Sequence, residues 1–197
     1  MTDIAPLTPR PEVVEFLLTR RSRPAKTLTG PVPHRETVET LLRAAARSPD
    51  HGKLEPWRFI VLERAACARL AELTATRGAE AGLDAEKVEK SRRNFADAHL
   101  VVAVIAAPVE AEKVPEVEQI LSAGAVCLAL VNAALASGWG ANWLTGWMAM
   151  DRGFLSQGLT LEAHEFVAGF IHLGTETALP PERPRPDLDR ITTWVAE

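Results

Sequence analysis

The sequence carries no surplus of positive charge, has few cysteines and lacks an uninterrupted apolar run long enough to cross a bilayer. Lys and Arg number 22 against 26 Asp and Glu, a formal net charge of -4 over 197 residues. A protein that neutralises nucleic-acid phosphates usually shows the opposite balance, so no nucleic acid is expected as a partner. Cys67 and Cys127 are far apart and in no metal-like spacing; this argues against a disulfide framework and fits a reducing cytoplasm. The longest apolar stretch, 120–136, is interrupted by Ser122, Gly124 and Asn132 and is read as a core helix, not a membrane span. The first residues, MTDIAPLTPRPE, have no apolar h-region, so no secretory signal is expected and residues 1–10 are read as a flexible lead.

Familiar catalytic signatures are missing as well. There is no GxSxG elbow, HExxH, P-loop or CxxC. Gly138-Trp139-Gly140 begins like a dinucleotide fingerprint, but Trp143 stands where the third glycine belongs and a helix, not a strand, precedes it. The five histidines are scattered. No metal site and no catalytic side chain is therefore expected.

What is present reads as one domain over 1–197, alternating helices and strands. Helices are expected at 11–20, where Pro11 takes the favoured first position, and at about 34–47, where Val38, Leu41, Leu42 and Ala45 recur at helical spacing. Strand 58–63 follows, then charged, alanine-rich helices over 64–82 and 84–94. The run 99–107, with three valines, suits a central strand buried on both faces. Helix 116–137 is apolar all round, so it belongs at the centre or in an interface. A Gly/Trp-rich turn is expected over 138–146 and a buried strand over 166–174. The Pro-rich segment from about 175 ends in ITTWV (191–195), an arm suited to adding a strand to a partner's sheet.

Three segments ask for a chemical explanation. Arg20-Arg21-Ser22 puts two guanidinium forks and a hydroxyl together, as a phosphate monoester requires, although basic residues at a helix end also offset its dipole. The stretch 48–57, SPDHGKLEPW, is a dense polar loop at a strand entrance, either a rigid connector or a functional loop. The stretch 138–146, GWGANWLTG, offers glycines for close backbone approach and indoles for a flat ring system, or else a tight turn with buried tryptophans. Phosphate clamp, polar loop and aromatic wall together describe flavin mononucleotide (FMN).

RRS after a first helix, SPDH with PW before the first strand, SAG in the long helix, GWGANWLTG after it and GFIHLGT before a Pro-rich arm resemble the nitroreductase family, over about 12–194. The resemblance implies an α+β fold with a mixed sheet between helices. It also implies an intertwined homodimer holding FMN at its interface. Arg20, Arg21 and Ser22 would hold FMN from one subunit, and Arg47 and His51 from the other. Trp143, Leu144, Thr145 and Gly146 would line the flavin ring, with Arg183 and Arg185 as further phosphate candidates. Ala133, Ala134, Leu135, Ala136, Ser137 and Gly138 match a segment assigned to nicotinamide binding. The implied activity is ping-pong electron transfer from NADH or NADPH to a nitroaromatic, quinone or similar small molecule; the alternative is a flavin-binding protein without such turnover. Leu144-Thr145 replaces an Arg-Ser pair carried by many relatives, so that arginine's contact is lost.

Overall fold

The computed structural model describes residues 6–197. Helix α1 (Pro11–Thr19) leads to a two-residue strand β1 (Leu28–Thr29), then α2 (Arg35–Ala45) and β2 (Trp57–Glu63). Two helices, α3 (Arg64–Glu80) and α4 (Ala85–Ala96), precede β3 (Leu100–Ala106). The long α5 (Glu116–Ala136) runs into β4 (Gly140–Leu144); α6 (Arg152–Leu159), β5 (Phe166–Glu176) and a short α7 (Leu188–Ile191) complete the chain. Residues 1–5 of the expected flexible lead lie outside the described residues, and 6–10 are exposed without regular structure.

Every residue of β3 is buried, as its sequence LVVAVIA demands. Side chains alternate between two cores. Val101, Ala103 and Ile105 meet Phe170 beneath α3 and α6, while Leu100, Val102 and Val104 meet Ile171 and Leu173 beneath α2 and α5. In the first core Phe95 stands edge-on to Phe170 with centroids 5.1 Å apart and stacks on Phe154 at 5.7 Å, favourable geometries for aromatic quadrupoles. Arg77 grips Asp151 with two bonds of 2.9 and 3.1 Å, and Asp151 caps α6 through the Phe154 amide. That Arg77 contact holds the Asp151 carboxyl below its ordinary value.

The α+β architecture is as expected and differs in detail. Every strand pair described is antiparallel, so the sheet is antiparallel where a mixed one was expected. Strand β5 carries β3 on one edge and β4 on the other, because residues 170–173 pair with both. The expected turn at 138–146 is largely β4: Gly138, with φ +81°, turns the chain in, Gly140–Leu144 pair with β5, and Gly146, with φ +123°, turns it out. The segment 191–195 forms no strand within its own chain. Ile191 closes α7, and Trp194 is 92% exposed. Pro180, Pro181, Pro184 and Pro186, which lack the N–H groups a ladder needs, lie in the stretch that leads to this segment.

Helix α5 is not enclosed on all sides. Val126, Cys127, Leu130 and Val131 enter the core, whereas Val117, Ile120, Leu121 and Leu128 are exposed. It is the one described helix apolar and long enough to cross a membrane, yet its inner face packs on the sheet. No residue of α1 is buried; Val13, Val14, Leu17 and Leu18 all face outward.

His172 lies buried in β5 beside Phe95, and burial pushes its imidazole down to about 4. The unfolded ring titrates near 6.5, so below that pH the unfolded chain binds a proton that the native chain refuses. This stabilising contribution is complete above pH 6.5 and is lost as pH falls towards 4. The urea midpoint should therefore decline over that window with a slope of about one proton. His172→Leu should remove that component, and an unchanged slope in the variant would show that another group is responsible.

Candidate functional site

The chain leaves α1 at Arg20 in an extended conformation, and the arginines that follow are stitched to the start of β4. The Arg23 amide donates to the Ala141 carbonyl at 2.9 Å, and Asn142 Nδ2 donates to the Arg23 carbonyl at 2.7 Å. Arg20 Nη2 donates to Ser22 Oγ at 2.8 Å, so the two expected ligand groups already touch. The C-terminal arm folds back over this loop. Arg21 donates to the Pro181 carbonyl at 3.1 Å, and Glu182 lies between Arg21 at 3.8 Å and Arg185 at 2.8 Å.

Four guanidiniums thus converge. Burial, and then the positive charges of Arg185, Arg21 and Arg23, make Arg20 less basic than usual. Arg20 Nε is buried with no hydrogen-bond partner. A buried donor without an acceptor is costly, and repulsion among like charges adds to the cost. Both are relieved by an oxyanion. Of the two tail candidates, Arg185 joins the cluster. Arg183 is exposed and forms no ion pair among the described residues.

The loop 48–57 is a built structure rather than a slack connector. Gly52, Lys53 and Glu55 all have positive φ, at 75°, 55° and 48°. The Asp50 carboxylate accepts from the Leu54 and Glu55 amides at 3.1 and 2.8 Å, holding that strained turn. Ser122 on α5 donates to the Pro49 carbonyl at 2.6 Å and accepts from Trp57 Nε1 at 3.0 Å. His51 Nδ1 meets Glu118 Oε2 on the same helix at 2.7 Å. Arg47 is exposed at the end of α2. No hydrogen bond or ion pair among the described residues joins Arg47 or His51 to the arginine cluster. Within one chain the two expected halves of the site remain apart.

A third feature is a groove of about 640 Å³ between the outer face of α5 and the end of β4. Ile120, Leu121, Leu128, Trp143, Met150 and Phe166 give it apolar walls; Thr145 and Gly146 stand at one end, and no ionisable side chain lines it. Leu144 does not line it and pairs with Phe170 in the sheet. Gly146, at φ +123°, has a backbone conformation few other residues adopt, and it releases the chain from β4.

The stretch 133–138 looks different from what nicotinamide binding would ask. Ala134 is fully buried in the core, and Leu135 packs against that core. Ala133 and Ala136 face a shallow cleft under Val13, Phe16 and Leu17 of α1. Ser137 bonds back to the Ala133 carbonyl and, with Gly138, ends the helix. The helix turns Ala134 towards the sheet, where its side chain is part of the core.

The model of the nitroreductase family matches residues 17–175. The chain belongs to the nitroreductase family. It is 33% identical over 164 residues to the Escherichia coli (strain K12) protein named "Putative NAD(P)H nitroreductase YdjA", covering 83% of this chain and 88% of that one. Among solved structures, a nitroreductase-like family protein from Bacillus cereus superposes with a TM-score of 0.77 at 17% identity, over 99% of this chain and 100% of the other. A nitroreductase from Desulfovibrio desulfuricans, solved in complex with FMN, superposes with a TM-score of 0.72 at 23% identity, over 95% and 98% of the two chains. These likenesses establish the nitroreductase fold for this chain.

Several contributors within this nitroreductase fold went unseen in the sequence. Asp50 as a turn clamp, Glu118 as the partner of His51, and the arm's return to Arg21 all depend on tertiary contacts. Ser122 was available in the SAG motif but had no visible role there. Removing its hydroxyl should leave Trp57 Nε1 and the Pro49 carbonyl unsatisfied. Ser122→Ala is expected to cost about 1–3 kcal/mol in denaturant unfolding and to speed amide exchange at Leu54 and Glu55 first. Wild-type exchange at those two amides would separate this loop from Ser122.

Proposed function

We propose that this nitroreductase-family chain is an FMN-dependent oxidoreductase that takes electrons from NADH or NADPH and passes them to a small oxidised organic molecule such as a nitroaromatic or a quinone. The observation that carries the reading is the orphaned, buried Nε of Arg20 among the guanidiniums of Arg21, Arg23 and Arg185. Glu176 pairs with Arg23, and Glu182 with Arg21 and Arg185, but Arg20 has no carboxylate partner among the described residues, and a phosphate monoester would supply it with acceptor oxygens and charge. The residues present therefore fit the phosphate end of FMN. The uncharged groove walled by Trp143 fits a flat ring system. The names of the relatives point the same way.

When bound, FMN would supply the redox chemistry, accepting electrons from a nicotinamide and releasing them to a second substrate. The chain's own residues would do the rest. Arg20, Arg21, Ser22 and Arg185 would hold the phosphate. Trp143 and the Thr145–Gly146 backbone would orient the ring, and the apolar groove walls would exclude water from it. One groove serving two reactants in turn implies ping-pong kinetics. Either nicotinamide donor would enter that groove; the 133–138 stretch does not line it, and Ala133 and Ala136 would reach a nicotinamide nucleotide only through the separate cleft under α1.

A homodimer completes the proposal. The outward apolar faces of α1 and α5, and an arm carrying an almost wholly exposed Trp194, are surfaces that a second copy would cover. Arg47 and His51 would then reach the flavin held by the other subunit. Such a protein would work in the cytoplasm.

Purified protein should show flavin absorbance near 370 and 450 nm, bleached by NADH or NADPH without oxygen. Arg20→Ala and Ser22→Ala should each weaken FMN binding at least about tenfold, the scale of a lost charge-assisted bond. Flavin bands that neither nicotinamide can bleach would leave a flavin-binding protein without turnover. A colourless protein that takes up no added FMN would refute the cofactor assignment.

A further inference from the structure

Trp143 points from β4 into the space between β5 and α5, and that space exists because of an irregularity in β5. The register between β3 and β5 slips there: Val104 faces Gly169, Ile105 faces Val167, and Ala168 has no opposite number. Such a bulge turns two consecutive residues to one side of a sheet. Ala168 accordingly packs towards the α5 core, and Gly169 faces the same way.

The indole occupies the place vacated by the missing side chain. A Cβ on Gly169 would lie 2.2 Å from Trp143 Nε1 and 3.0 Å from Cys127 Sγ, so no larger residue fits while the ring is there. Trp143 Nε1 donates to the carbonyl of the bulged Ala168 at 3.1 Å. On the helix side Gly124 faces the far edge of the ring, and a Cβ there would make only ordinary contact at 4.0 Å. The indole is thus seated between two glycines and tied by one hydrogen bond, yet 39% of the residue remains exposed along the groove.

We propose that Gly169 and the bulged Ala168 are positioning residues that fix Trp143 as an immobile aromatic wall of the ligand groove. A wall set before the ligand arrives loses little rotamer freedom on binding, and that lowers the cost of stacking a flat ring against it. The identity of that ring as flavin rests on the function proposed above; the slot itself does not.

The test separates the two. In nitrogen-15-labelled protein the Trp143 indole N–H, assigned by its loss in Trp143→Phe, should exchange slowly with deuterium. Gly169→Ala should shift that resonance, speed its exchange and weaken FMN binding at least about tenfold. The Trp143→Ala, Gly169→Ala double variant should fold and bind FMN no more weakly than Trp143→Ala alone, because the clash with the indole is then gone and only Cys127 Sγ, at 3.0 Å from the added methyl group, has to shift slightly. If Gly169→Ala does not fold, the double variant still decides the matter by folding. A wild-type indole signal with unchanged FMN affinity in Gly169→Ala, additive losses in the double variant, or a double variant that fails to fold would overturn the proposal. If the wild-type protein takes up no FMN, the cofactor assignment fails, and indole exchange alone still reports on the slot.

Discussion

A strand buried on both faces must be covered on both, and the pairing of β3 with β5 imposes that requirement on the whole molecule. Helices α3 and α6 close one side and α2 and α5 the other. Because β4 pairs with the free edge of β5, the residues after α5 are carried to the border of this double-sided core. The arginine loop is then hydrogen-bonded to the start of β4, and Trp143 stands near its end. The arginine loop and the groove are therefore both tied to the sheet through β4, as a preorganised site requires.

Much of this was legible in the sequence, for physical reasons. The period of the apolar residues in 35–45 and the unbroken apolar run at 100–106 left little choice about their structure. The RRS, PDH and GWGANWLTG segments were conspicuous because they put costly chemistry where a connector needs none. Arg185 could be suspected only from its charge; its meeting with Arg20 depends on how the arm folds back.

The misreadings also have identifiable causes. Gly138 and Gly140 suggested a turn throughout, but Gly140 is a strand residue that lies against Leu28 and the Gly174 carbonyl, where a side chain has no room. Helix α6 escaped notice because its apolar residues, Phe154, Leu155 and Leu159, are few and its start depends on the Asp151 cap. An all-apolar reading of α5 could not tell an enclosed helix from one with a bare outer face, since the difference lies in what surrounds it. Gly169 inside a strand was a usable signal of a bulge or a close approach, and it passed unread.

The crowding of guanidiniums around Arg20 also bears on selectivity. Four guanidiniums share two carboxylates, Glu176 and Glu182, and Arg20 Nε has no acceptor among the described residues, so the cluster keeps an excess of positive charge. Only a ligand carrying negative charge at that end offsets the excess; an uncharged hydroxyl in the same place does not. If it holds the phosphate as proposed, the cluster would discriminate a phosphorylated molecule from its dephosphorylated parent before any ring contact is made, acting as a filter on the state of one terminal group.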